Sequence, residues 1–393
     1  MAIAGRNVFI LFCILAGLMF PSVAFAEIQS SVRIDLKNSL ALNPDPDPAP
    51  EDPAAVYGIN GSGRFTLDAR GNRNVRGHLS LLANVNSILP ESSEIILDKM
   101  YLGIRFDSLR LTIGKTIISW GEGFVFNSGD LLADSGDINV NFSAEELRDN
   151  SAWLGSIYIP IDRFSFLEAL ILPPMPRADP APLTDLPSFG GRFLTEFADI
   201  SLKLEGGYLF KGMDDLHQVY VSLQGGEGLN WFLNSSISLS EEHVGGSAED
   251  FFTGLQASGG LFFFENFIPE DGGSEFGFGM RAELLVDLAH PFSVNADADA
   301  GGMNGVSGAV SPLGIYGYAE TSFTVDRIFT ASLRSIVSPI DLSAIIIAQG
   351  SFNLYQGFTL YFTLNAQIGE DGDTFANHRL GGYGAEVGVQ FIF

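Results

Sequence analysis

Thiols are almost absent from this chain. Cys13 is the sole cysteine among 393 residues, so neither a disulfide framework nor a thiolate metal site can be built from it. Basic residues are scarce as well. Lys and Arg total 21 against 47 Asp and Glu, a formal charge of −26, and so acidic a chain cannot neutralise phosphates, which excludes nucleic-acid binding. The five histidines, His78, His217, His243, His290 and His378, show no metal-ligand spacing, and no Gly-x-Ser-x-Gly elbow occurs. No catalytic residue, cofactor or metal site is therefore assigned, and no enzyme is expected. Beyond the N-terminus no apolar run is long enough for a membrane-crossing helix, which needs about 20 residues, and no internal repeat is evident.

What the chain has is grease and alternation. Hydrophobic residues make up 46% and mean hydropathy is +0.21 despite the acidity. A membrane β-barrel reconciles the two, because alternate residues face lipid while their neighbours face water. At the N-terminus Arg6 precedes an apolar run over residues 8–20, followed by Pro21 and the small-residue site Ala24-Phe25-Ala26. This reads as a secretory signal peptide over residues 1–26, cleaved before Glu27, leaving a barrel over 27–393. Phe12 ahead of Cys13 lacks the small residue that a lipidation site requires.

Period two recurs along the rest of the chain. In the first segment Ile28, Val32, Ile34, Leu36 and Leu40 share one face, while Gln29, Arg33, Asp35, Lys37 and Ser39 share the other. Further segments start near Val56, Val75, Glu94, Ser108, Ser151, Arg163, Gly190, Ile200, His217, Leu229, Asp250, Ser274, Pro312, Ile328, Ile340, Gly357 and Gly381. Alternation is weakest near Arg163, Asp250 and Ile340. The expected fold is all-β, a transmembrane antiparallel up-and-down barrel of about 16 to 18 strands with a long loop after the fifth. An even count puts both termini in the periplasm and makes the shorter connections periplasmic. The link over 265–273 is a long exception, where the register is most exposed to a slip.

Residues 381–393 alternate apolar and small or polar side chains and stop on Phe393. This ending resembles the C-terminal strand of bacterial outer-membrane β-barrel proteins, which the barrel-assembly machinery reads. The resemblance implies the outer membrane of a diderm bacterium, reached after export through the inner membrane. It also implies outer-membrane lipid and the assembly machinery as partners.

Charge is unevenly spread. Residues 27–115 carry 10 basic and 11 acidic side chains, whereas residues 116–393 carry 10 basic and 36 acidic. Arg33, Lys37, Arg64, Arg76, His78, Lys99, Arg105 and Arg110 all fall on the polar phase, and only Lys115 breaks it, near a strand end. A lipid-facing Arg or Lys at mid-membrane costs roughly 2 to 4 kcal/mol, so these groups must point inward. They form an expected pore-lining basic ladder, a series of weak sites for anions. The alternative is that they pair with Asp35, Asp68 and Glu283 in a filled interior.

The stretch over 120–150 is too long for an idle loop. Trp120, Glu122, Asp130, Asp134, Asp137, Glu145 and Glu146 are its constriction candidates, and Ser143-Ala144-Glu145-Glu146 reads as a capping box. Folded inward, the loop sets acids against the basic wall; left outside, it is a solvated acidic loop. Gly114-Lys115-Thr116-Ile117-Ile118-Ser119-Trp120-Gly121-Glu122-Gly123, then Asn127 and Asp130, resembles the junction Gly-Arg-Gln-x-x-x-Trp-Gly-x-Gly…Asn-Pro-x-Asp of porin-like outer-membrane barrels, including alginate-export-type and related porins. Lys115, Thr116 and Ser128 depart from that pattern. Trp120 is expected at the membrane interface, its ring buried and its N–H wet.

The resemblance implies a channel-like barrel without fixing a substrate; with the basic ladder added, the expected function is a porin-like channel for passive passage of small hydrophilic solutes, anions among them. A closed-lumen structural or surface-binding protein and a transporter of hydrophobic substrates are the alternatives. The second of these needs an N-terminal plug, whereas alternation here starts within a few residues of Glu27. A monomer and a homo-oligomer both fit.

Overall fold

Alternation becomes eighteen antiparallel strands. They are β1 (Glu27–Leu42), β2 (Ala55–Asn72), β3 (Val75–Asn86), β4 (Glu94–Arg105), β5 (Arg110–Thr116), β6 (Ala152–Pro160), β7 (Ser165–Leu172), β8 (Ser188–Phe197) and β9 (Leu202–Lys211). The second half comprises β10 (Leu216–Gly225), β11 (Leu229–Leu239), β12 (Leu255–Phe267), β13 (Phe276–Asp287), β14 (Gly314–Val325), β15 (Phe329–Ser338), β16 (Ser343–Tyr355), β17 (Phe358–Ile368) and β18 (Tyr383–Ile392). This computed structural model describes residues 27–42, 55–86, 93–132, 151–174, 186–212, 214–240, 254–269, 273–288, 314–355, 357–370, 373–375 and 382–393. The expected signal peptide and the capping box at 143–146 lie outside the described residues.

Each strand pairs with its neighbours in sequence, and β1 also pairs with β18, from Arg33 opposite Ile392 to Leu42 opposite Tyr383. The sheet is therefore closed and leaves no edge along its spanning part, as lipid requires of any β structure within it. Phe393 completes the seam: its N–H donates to the Val32 carbonyl at 2.8 Å and its own carbonyl accepts the Val32 N–H at 3.2 Å. Among the described residues no helix is long and apolar enough to cross a membrane.

The two faces are inverted relative to a water-soluble protein. Large apolar side chains such as Leu36, Val221, Leu233, Leu284, Leu333 and Val387 are exposed on the outside. Polar and charged ones, among them Asp98, Glu168, Glu205, Asn234, Glu283 and Arg334, are buried on the inside. Strands near Arg163, Asp250 and Ile340 exist as β7, β12 and β16, which fixes the count at eighteen. The alternation of β7 and β16 is blurred because the inward positions Leu170, Ile345 and Ile347 are themselves apolar and pack within the barrel.

Turns on the rim nearest the seam are mostly tight, as at 73–74 between β2 and β3 and 326–328 between β14 and β15. The β12–β13 connection, 268–275, is longer, yet pairing runs unbroken from β11 to β14, so the register does not slip there. One irregularity does matter. A shift between β3 and β4 near Ser80 places both Asp98 and Lys99 opposite Ser80, whose hydroxyl donates to Asp98 at 2.8 Å. This bulge turns an acid onto the inner face that simple alternation assigns to the outer one.

Candidate functional site

The basic residues singled out by phase lie together on β1 to β5. Register sets three Arg–Arg pairs directly across from one another: Arg33 with Arg64, Arg70 with Arg76, and Arg105 with Arg110. Acids attend most of the wall. Arg33 Nε lies 3.1 Å from Asp35, Lys37 Nζ lies 3.2 Å from Glu386, and Arg64 Nε lies 3.8 Å from Asp98. Asp68 serves both Arg76, at 3.2 Å, and His78, at 3.1 Å. His78 stacks on Tyr101 and Arg110 lies over the Tyr158 ring. Lys99 stands opposite Ser80 on the same wall. The off-phase Lys115 donates from Nζ to the Leu97 carbonyl at 2.6 Å. Of the acids weighed as partners for this wall, Asp35 and Asp68 take that role. Glu283 does not, because it holds the loop after β5.

The described part of that loop, residues 117–132, folds into the barrel, runs against the inner face of β7 to β16 and is held there by side chains far away in sequence. Arg192 on β8 donates from Nε to Glu168 at 2.8 Å and from Nη1 to Glu205 at 2.9 Å and to the Ser119 carbonyl at 3.0 Å. Glu205 also accepts the Gly121 N–H at 3.3 Å and the Tyr220 hydroxyl. Further along, Glu283 on β13 accepts three successive amides, those of Phe124, Val125 and Phe126, at 2.9, 2.8 and 2.9 Å. Arg281 sits 4.1 Å from the Phe124 ring centroid. Ser258 binds Ser128 through both its amide and its hydroxyl at 3.0 Å, and Asn234 donates to the Glu122 carbonyl.

The glycines of the motif make this path available. Gly121 has φ +68° and Gly123 φ +142°, and a Cβ on Gly123 would run into the Phe126 carbonyl. We expect Gly123→Ala to dislodge the loop tip while leaving the barrel intact, checked by unchanged far-UV circular dichroism with faster proteolysis of the loop.

Trp120 does not sit at the membrane interface. It is fully buried inside the barrel, stacked on Tyr220 at 5.7 Å and packed with Leu131, Leu170 and Leu209. The cause is the inward fold of the loop, which carries the indole away from the bilayer. Asp130 accepts the Ser119 hydroxyl at 2.8 Å and so ties together the two ends of the described stretch 117–132. Glu122 contributes its carbonyl to the clamp through Asn234. Asp134, Asp137, Glu145 and Glu146 lie outside the described residues. Sequence spacing missed Arg192, Glu205, Asn234 and Arg281, and it offered Glu283 only as a partner for the basic wall in the filled-interior alternative.

A second segment reaches the same interior. Phe375, in the β17–β18 connection, is fully buried with Phe126, Tyr316, Ile336 and Ile345. Asp341, in the β15–β16 turn, accepts the Thr374 amide at 2.7 Å and the Ser343 hydroxyl at 2.7 Å, and Ser343 accepts the Phe375 amide at 3.1 Å. Burial pushes the Asp341 carboxyl up, but hydrogen bonds from Thr374, Ser343 and Ser338 outweigh it and hold the group below the usual carboxylate range. A depressed folded value means that the anchor is complete above the ordinary aspartate value of about 3.9 and is lost only as pH falls through the lower folded one. Exchange of the Thr374 and Phe375 amides should stay slow from neutrality to about pH 4. In Asp341→Asn it should be fast throughout.

Among the described residues no group of three His, Cys, Asp or Glu side chains could hold a metal ion. No protein-family profile and no curated protein matches the sequence. Solved structures do resemble the fold. OccAB4 of Acinetobacter baumannii superposes with a TM-score of 0.54 at 12% identity, over 93% of this chain and 98% of the other. OccK2 (OpdF) of Pseudomonas aeruginosa gives 0.55 at 10% identity, and a BenF-like porin from Pseudomonas fluorescens Pf-5 gives 0.52 at 10%, each over 93% of this chain and 98% of the other. OccK2 has also been solved with glucuronate and OpdK of Pseudomonas aeruginosa with vanillate.

Proposed function

We propose that this barrel is an outer-membrane channel for passive passage of small hydrophilic solutes, with a preference for anions. The carrying observation is the division of the inner wall. Residues 117–132 lie against the arc from β7 to β16, which leaves the arc carrying the eight basic residues of the expected ladder, β1 to β5, to bound the rest. A narrowed polar path with one cationic side gives an anion successive weak sites without a deep trap. Fold neighbours solved with glucuronate and vanillate, both carboxylates, agree with that preference. Diffusion through such a path needs no catalytic residue, and we propose that the protein is no enzyme.

The closed-lumen reading has one observation in its favour, the apolar cluster of Phe126, Tyr316, Ile336, Ile345 and Phe375 inside the barrel. Planar-bilayer recording of refolded protein separates the two: discrete conductance steps are expected, and their absence overturns the channel. In a salt gradient the reversal potential should favour anions. Arg64→Glu should shift it toward cations, most strongly at low ionic strength, since screening sets in beyond about 8 Å at physiological salt. Export by a signal peptide cleaved before Glu27 and recognition of β18 by the assembly machinery complete the proposal, and both a monomer and a homo-oligomer fit it.

A further inference from the structure

Neutralisation of the basic wall fades toward the rim of tight turns. Of the three directly opposed arginine pairs, Arg33 and Arg64 have Asp35 and Asp98 beside them. The next pair has less. Arg76 shares Asp68 with His78, while Glu27, opposite Arg70, accepts a hydrogen bond from Gln29. The last pair, Arg105 and Arg110, makes no ion pair among the described residues, and Asp107 in the turn between them makes none with either.

Both guanidinium-bearing residues are exposed. They end β4 and begin β5 on the inward phase, since Tyr101 and Gly103 precede Arg105 on the face where Tyr101 stacks on His78. Like charges directly opposite one another on adjacent strands destabilise a sheet. Arg76 adds to the crowding: it faces Gly103, two residues before Arg105, a diagonal separation of about 7 to 8 Å. Arg110 is steadied over the Tyr158 ring at 5.3 Å, and that ring in turn meets Phe166 at 4.6 Å. Two planar forks with donors to spare, one of them braced by an aromatic ring, match the oxygen pairs of a carboxylate or phosphoryl group.

We propose that Arg105 and Arg110 form an anion site at the tight-turn mouth of the barrel. It takes small solutes with two or more negative charges and makes passage asymmetric. This site rests on the channel reading only for its part in transport; its binding of anions stands apart from conductance.

Inorganic pyrophosphate is the probe, titrated calorimetrically into refolded barrel in detergent at low ionic strength. Saturable binding is expected, weakened roughly tenfold or more in R105Q/R110Q but by no more than about twofold in R327Q, an arginine of another tight turn that already has Glu275 at 3.3 Å. Each single substitution serves if the double variant fails to fold. No binding to the unaltered protein, or equal loss in R105Q/R110Q and R327Q, overturns the site. In bilayers pyrophosphate should block current more strongly from the tight-turn side, and equal block from both sides overturns the asymmetry. Binding without any conductance removes the channel reading and leaves the site, whereas conductance without binding does the reverse.

Discussion

Replacing Glu283 with alanine should release the loop after β5 from the inner wall and raise single-channel conductance several-fold, with noisy flickering in place of steady steps. One carboxylate accepts three consecutive amides, those of Phe124, Val125 and Phe126. Hydrogen bonds to a charged acceptor are worth about 1.5 to 3 kcal/mol each. Allowing water to replace part of them in a wet interior, the set should still hold the seated loop by roughly 3 kcal/mol, a preference of more than a hundredfold over the loosened state. Glu283→Gln keeps one acceptor oxygen, sets an NH2 donor in place of the other and loses the charge, so its conductance should fall between the two. If alanine leaves both conductance and loop proteolysis unchanged, the carboxylate is not what seats the loop.

Arg192→Met should be the most destabilising single change in the interior. Its guanidinium is the counter-charge for Glu168 and Glu205, which are 6% exposed each. Removing one partner from a buried charge cluster typically costs about 3 to 5 kcal/mol, because the remaining carboxylates lie buried without compensation. The denaturant midpoint in lipid vesicles should drop accordingly. Adding Glu168→Gln and Glu205→Gln to Arg192→Met should restore much of the loss, since the penalty comes from stranded charge. Arg192→Lys should rescue less, a point charge being unable to reach Glu168, Glu205 and the Ser119 carbonyl together. A triple variant no more stable than Arg192→Met would show that the loss comes from packing.

Much of the fold was legible because a strand with lipid on one side and water on the other must alternate. The segment beginning near Glu27 became β1 with inner and outer faces as read, and those beginning near Val75 and Gly357 became β3 and β17. Alternation failed where the interior is not water: Leu170 and Ile345 face inward and are apolar because Trp120 and Phe126 pack on them. Phase groups the basic residues of β1 to β5 on one face of the sheet, but it misplaces Asp98, whose side a bulge reverses. The clamps on the loop were beyond reach for another reason. Glu205 holds an amide 84 positions away and Glu283 one 159 away, and no local period links such residues.

The seam of Val32 with Phe393 has a consequence for how the molecule comes into being. Every other pairing joins strands consecutive in sequence, whereas β1 must find β18 across nearly the whole polymer, the costliest loop closure in the topology. Circularisation is thus the slow, final act of maturation, and until then two raw strand margins stay open to rival partners. Any lesion at either margin should show itself as sluggish biogenesis long before it dents the finished cylinder.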